Sequence, residues 1–223
     1  ECEGINMDAT VTSILHKSQE ELEMLARKKV KHLYLGIESG LDDVLKFMKK
    51  DHDLAQAYQA IDRLHEAGLI YDAHIMTGVA GKGRGMENAE ALAQFLNRTN
   101  PAHVVNFSMF LHKEVPLYQD IRQGTFVPAD ELETIREEYH LIERIAPEKA
   151  GANILYDGFH DFIHVRVRGH LPGDKEKMLA KLNGIIQEYE GKEPVYSLVQ
   201  GECPDLEYCD DGKAVWDMDR KTS

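Results

Sequence analysis

HLYLGIESG, residues 32 to 40, is the stretch whose reading decides the fold. His32 to Ile37 is a short apolar run with an aromatic and a β-branched member, as in a strand buried on both faces of a parallel sheet. It stops at Glu38-Ser39-Gly40, three residues suited to a loop at a strand end. Working backward, Ser18 and Glu21 have the spacing of a capping box, and Leu22, Leu25, Ala26 and Val30 share one face, which predicts a helix over 19–30. Working forward, Asp42 opens a short helix through Val44, Leu45 and Met48. Asp53 and Gln56 open another, which Ala57, Ile61, Leu64 and Ala67 carry to a stop at Gly68. Leu69 to Thr77 reads as the next strand, followed by a loop rich in glycine at 78, 81, 83 and 85. A helix over 86–98, a strand over 104–110 and a helix over 130–145 complete the pattern. Strands alternating with helices of this length give right-handed βαβ units, hence an α/β fold with a parallel sheet. Past Pro147 the pattern changes: 162–168 alternates like a half-exposed strand, 174–189 is helical, and only weak strand signals remain near 196–199. The expected division is 1–147 and a C-terminal appendage, 148–223.

The chain has 223 residues, a formal charge of −13, 43% hydrophobic and 29% charged residues. That is the balance of a globular protein with a sizeable core. No apolar stretch approaches the ~20 residues a bilayer crossing needs, and the N-terminus has no secretory layout, so a cytoplasmic setting with no membrane partner is expected. Strong acidity repels phosphate backbones, and no Lys/Arg run is dense enough to offset it; nucleic acid is therefore not expected as a partner. Cys2, Cys203 and Cys209 are too few and too uneven for a disulfide framework. Beginning at Glu1, the chain reads as a piece of a longer protein.

Ligands of parallel α/β sheets meet the C-terminal strand ends. Glu38 ends a strand where a carboxylate has no packing role, and Lys50 lies twelve positions on, after one short helix. A carboxylate accepting from hydroxyls or an amine, beside an ammonium holding a carboxylate, suits a zwitterionic, ribose-bearing ligand. An ordinary rim salt bridge is the alternative. Cys203 and Cys209 supply two thiolates, too few for a zinc or cluster site. His160 and His164 read as structural or surface histidines, Met24, Met48, Met76 and Met109 as core filler. His112, Lys113 and Glu114 could touch substrate or belong to an exposed loop.

Leu35 to Gly40 (LGIESG), then Asp42 to Lys50 (DDVLKFMKK), Ala67-Gly68 and His74 to Gly81 (HIMTGVAG) resemble the core of radical S-adenosylmethionine (SAM) enzymes. The similarity is nearest the branch of oxygen-independent coproporphyrinogen oxidases and related iron–sulfur oxidoreductases, and covers residues 18 to about 145. The resemblance implies the C-terminal half of a partial (β/α)6 barrel, with a small α+β appendage, from an enzyme using SAM and a [4Fe–4S] cluster on a small-molecule substrate. By position, Glu38 and Ser39 meet SAM from one strand end and Lys50 meets its carboxylate. His74 faces the adenosine, and Gly78 to Gly81 let backbone approach the adenine beside Ile75 and Val79. His74 stands where an apolar or acidic residue is commoner, and Ala80 where Pro is usual. The C-x3-C-x2-C motif that holds the cluster is missing, since the cysteine spacings are 201 and 6. The resemblance puts that motif upstream of Glu1. The piece alone is then expected to be inactive, with no metal ligands and no cofactor bound. A methylthiolating or tRNA-modifying enzyme is the runner-up, disfavoured by the charge, and a cluster-free binding or scaffold domain is the alternative class. A halved barrel exposes a strand edge, so self-association through it, or its cover by the N-terminal segment, is also expected.

Overall fold

The computed structural model describes residues 3–199. In chain order they form β1 (Ile5–Ala9), α1 (Val11–Leu15), α2 (Gln19–Arg27), β2 (Val30–Glu38), α3 (Asp42–Phe47), α4 (Leu54–Glu66), β3 (Ile70–Thr77), α5 (Gly85–Thr99) and β4 (His103–Ser108). Then follow β5 (Leu111–His112), α6 (Leu117–Gln123), α7 (Glu131–Arg144), β6 (Ile154–His160), β7 (Val165–Leu171), α8 (Lys175–Tyr189) and β8 (Leu198–Val199).

Local chemistry starts the helices where the sequence says it should. Ser18 Oγ accepts from the Glu21 N–H at 3.2 Å while the Glu21 carboxylate accepts from the Ser18 N–H at 2.7 Å. Asp53 and Gln56 repeat the exchange at the head of α4. Each such cap is worth about 1 kcal/mol. Gly68, at φ +75°, ends α4 in the left-handed conformation a glycine takes without penalty.

Six strands make one sheet in the order β1-β2-β3-β4-β6-β7, parallel throughout except for the β6–β7 hairpin. This is the expected α/β architecture, part of a barrel. Burial alternates along the strands. Leu33, Leu35 and Ile37 of β2, Tyr71, Ala73 and Ile75 of β3, and Ile154 and Tyr156 of β6 pack with Leu64, Leu92, Phe95, Ile135, Leu141 and Leu182 of the helices in one core. The opposite positions, among them His32, Tyr34, His74 and Phe107, stay half-buried or exposed. One face is thus covered and one is open.

This layout meets one expectation and changes another. β1 pairs with β2 from Ile5↔Val30 to Ala9↔Leu35, so strand 32–37 is covered by the N-terminal segment, one of the two outcomes expected for that edge. The segment expected as an appendage supplies β6, which pairs with β4 from His103↔Leu155 to Phe107↔Phe159, and β7 beyond it. β6 escapes pattern reading because Asp157 and Gly158 interrupt its apolar run. A Cβ at Gly158 would lie 1.8 Å from Glu138 Oε1, so the interruption makes room for a neighbouring helix.

Candidate functional site

The register of β2 against β3 runs evenly to Gly36↔His74 and then slips, so that Glu38 lies opposite Ile75. At the slip Glu38 has φ 62°, a left-handed conformation that costs a side-chain-bearing residue about 1–2 kcal/mol. Across the loop, α3 is closed by Lys49 at φ 57°, and the Lys50 N–H returns to the Leu45 carbonyl at 2.9 Å. This sends Lys50 back over the strand end. Lys50 Nζ lies 2.5 Å from Glu38 Oε1, with the side chains 24% and 28% exposed. A Cβ at Gly36 would come within 3.4 Å of the carboxylate and 3.5 Å of the ammonium, so glycine leaves the pair an unfilled flank. A partly exposed ion pair returns about 0–1 kcal/mol, no more than the strain at Glu38. Stability alone does not account for the geometry.

Behind the pair, buried polar groups tie two loops together. Ser39 Oγ donates to Asn88 Oδ1 at 2.7 Å, and the Gly40 N–H donates to the same oxygen at 3.2 Å. Asn88 Nδ2 donates in turn to Glu137 Oε1 at 2.7 Å, while Glu137 Oε2 accepts from the Gly78 N–H at 2.8 Å. One carboxylate from α7 therefore holds the loop after β3 directly and the loop after β2 through Asn88. Burial pushes the Glu137 carboxyl up to about 7, against the pull of the Asn88 and Gly78 hydrogen bonds. Gly40 packs so closely on α5 that a Cβ would lie 2.5 Å from the Ala91 carbonyl carbon. Gly78 and Gly81 hold φ +81° and +80°.

On the open face, Asn6, Met7, Asp8, Tyr34 and His74 line a recess of about 230 Å³. The His74 and Tyr34 rings lie 5.1 Å apart. Burial lowers the His74 pKa and favours the neutral ring, against the pull of Asp8, Asp72 and Glu38. A second buried network lies on the helix side of the sheet: His160 sits 3.1 Å from both Glu131 Oε2 and Glu138 Oε2. Glu138 Oε1 also accepts from Asn106 Nδ2 at 3.0 Å and the Tyr156 hydroxyl at 2.9 Å. Burial opposes a charge on His160, yet Glu138 and Glu131 together hold its pKa up to about 10.

Of the residues expected to form the site, the structure brings Glu38 and Lys50 into contact and puts His74 on the open face beside them. Ser39 is fully buried and its hydroxyl is committed to Asn88. Gly78 and Gly81 shape the neighbouring loop, and the Gly78 N–H is committed to Glu137. Ile75 belongs to the main core, not to a ligand surface, while Val79 packs in a small cluster with Val44, Ala80, Met48, Met76 and Met109. Met24, expected as core filler, is 45% exposed. Asn88 of α5 and Glu131, Glu137 and Glu138 of α7 are not among the expected site residues; the signal for the glutamates is their place on the same face of α7 as Ile135, Leu141 and Ile142. All three cysteines lie outside the described residues, and among these no group of three or more His, Cys, Asp or Glu could hold a metal ion. No helix of the described residues is long and apolar enough to cross a membrane.

Residues 2–96 match the family model of the radical SAM superfamily. Over 119 residues the chain is 25% identical to a tRNA uridine(34) acetyltransferase of Methanocaldococcus infernus, covering 53% of this chain and 22% of that protein. The chain thus spans about a fifth of that relative's length. A solved structure of the archaeal Methanocaldococcus infernus Elp3, with an N-terminal deletion (1–46), superposes with a TM-score of 0.56 at 21% identity, over 66% of this chain and 34% of that one. This second likeness is one of fold. Two expectations change. The similarity lies with a tRNA acetyltransferase rather than with the coproporphyrinogen oxidase branch. The exclusion of nucleic acid is overturned by the same relative, which is named for a tRNA nucleotide. A whole-chain charge of −13 does not fix the charge of any one part of the surface.

Proposed function

We propose that this chain forms the cofactor-facing side of a radical SAM domain whose enzyme modifies a nucleotide of tRNA, in a cytoplasmic setting. The observation that carries the reading is the Glu38–Lys50 contact at a strained strand end, within the segment that matches the superfamily. The residues fit SAM. Each member of the pair can exchange its present partner for one charge of a zwitterion, Glu38 for the ammonium or ribose hydroxyls, Lys50 for the carboxylate. His74, kept neutral, faces the adenosine, and the loop from Gly78 to Gly81 bounds the base. Ser39 acts from behind, fixing the loop through Asn88 rather than touching ligand. SAM, bound beside an iron–sulfur cluster, supplies hydrogen-abstraction chemistry; the described residues contain no cysteine to hold that cluster, and no electron-transfer step is assigned to them. Modification of a nucleotide takes the place of the oxidoreductase class, in keeping with the relative's name.

The test is calorimetric titration with SAM of the cluster-reconstituted parent protein, comparing it with Glu38→Gln and Lys50→Met. Charge-assisted hydrogen bonds are worth about 1.5–3 kcal/mol, so each variant should bind roughly 10- to 150-fold more weakly. Equal affinity in all three removes both assignments.

A further inference from the structure

We infer that the open sheet face carries a stacking platform for the unpaired bases of a single-stranded RNA segment, with the phosphates met along its β7 edge. This rests on the tRNA reading above and names the surface that would hold the strand.

Four strands contribute rings at neighbouring positions. Phe107 of β4 is the register partner of Phe159 of β6, and their rings stack at 5.8 Å with planes 17° apart. Phe159 is in turn the partner of Arg166 of β7, whose guanidinium lies 4.7 Å over the ring. In the other direction Phe107 meets the His74 ring edge-on at 5.9 Å, and His74 meets Tyr34 at 5.1 Å. The platform therefore runs from β7 to β4 and abuts the His74–Tyr34 pair, which the SAM reading above gives to the adenosine. Core packing does not account for it: Phe107 is 37% exposed, whereas its β4 neighbours Asn106 and Ser108, on the helix side, are 0% and 8% exposed. A row of rings on an open sheet face, Phe107 exposed and Phe159 half-buried, capped by a guanidinium, offers a surface on which bases can stack, and a base in a duplex has no free face to offer.

The charge beside the row suits a strand of phosphates. Arg166 and Arg168 of β7 and Lys177 and Lys181 of α8 line one recess of about 410 Å³. Asp157 pairs with the two arginines, at 2.7 and 2.6 Å from Arg166 and 3.6 Å from Arg168, which leaves Lys177 and Lys181 as the cations lining the recess that it does not engage. Lys181 Nζ also donates to the Arg166 carbonyl at 2.6 Å, drawing the α8 cations to the strand edge. These four residues come from two elements and form no run in the sequence, yet they make a basic rim on a chain of net charge −13.

Fluorescence anisotropy of the 223-residue chain with a labelled single-stranded oligoribonucleotide, a blunt RNA duplex, a mononucleotide and whole tRNA tests this. The single strand should bind more tightly than duplex or mononucleotide. Phe107→Leu and Phe159→Leu should each weaken it by about 5- to 150-fold, the range of 1–3 kcal/mol per stacked base. Phe107→Tyr, which keeps a ring, should bind as the unaltered chain does, and circular dichroism melting should place all three variants with it in folded content. Lys177→Gln should flatten the dependence of log affinity on log salt by roughly 0.7. Retention of tRNA with unchanged affinity in both leucine variants overturns the platform and leaves the tRNA reading standing. Duplex or mononucleotide binding as tight as the single strand also overturns it. Absence of any tRNA binding by the unaltered chain overturns both.

Discussion

Glu137 offers two carboxylate oxygens to two donors, the Gly78 N–H and the Asn88 amide, in a place 1% exposed. Burial holds its pKa near 7 in the folded chain, above the ordinary 4.5. The folded state then keeps a proton that the unfolded chain has lost. The resulting contribution is complete below about pH 4.5 and disappears as pH rises through about 7, a fall of about 3 kcal/mol. Glu137→Gln has no such group. Denaturant unfolding of the two proteins from pH 4.5 to 8 should therefore show the variant gaining about 3 kcal/mol relative to the unaltered chain as pH rises. A pH-independent difference would refute the assignment. Glu38 and Lys50 could be read from sequence because twelve positions and one short helix separate them. Glu137 could not, because its partners lie 49 and 59 positions away and nothing local pairs them.

At the scale of elements, α7 shows how far periodicity reaches. Leu132, Ile135, Tyr139 and Ile142 give the helix, observed as Glu131–Arg144, but not its cargo. Its buried face also carries Glu131 and Glu138, which His160 at the end of β6 joins. Removing the imidazole leaves Glu131 and Glu138 buried with hydrogen bonds but no counter-charge, so His160→Leu should cost about 3–5 kcal/mol in urea unfolding. A loss below about 1 kcal/mol would mean that the imidazole does not hold helix to strand. The same contact explains the missed strand. Asp157 meets Arg166 on the open face and Gly158 clears Glu138 on the other, so β6 answers to two neighbours and not to an apolar pattern.

Across the whole molecule, the change in pattern near Pro147 reads as a boundary, whereas the sheet runs through it. Cutting the chain after residue 147 would bare the β4 edge and strip His160 from the two glutamates. The 1–147 piece should lose the cooperative thermal transition of the full chain; a sharp transition at the same temperature would restore the boundary. Helix caps and the order of elements from α2 to β4 were determined by the sequence itself, because they rest on contacts among residues a few positions apart. So was the candidacy of Glu38 and Lys50, since a charged group ending an apolar run has few other reasons to be there. Only the tertiary structure decided that Ser39 turns inward, that α7 ties two loops together, and that rings and cations from separate strands line one face. Those arrangements depend on sheet register and on helices laid across it, and side chains 50 positions apart carry no mark of each other until the sheet has formed.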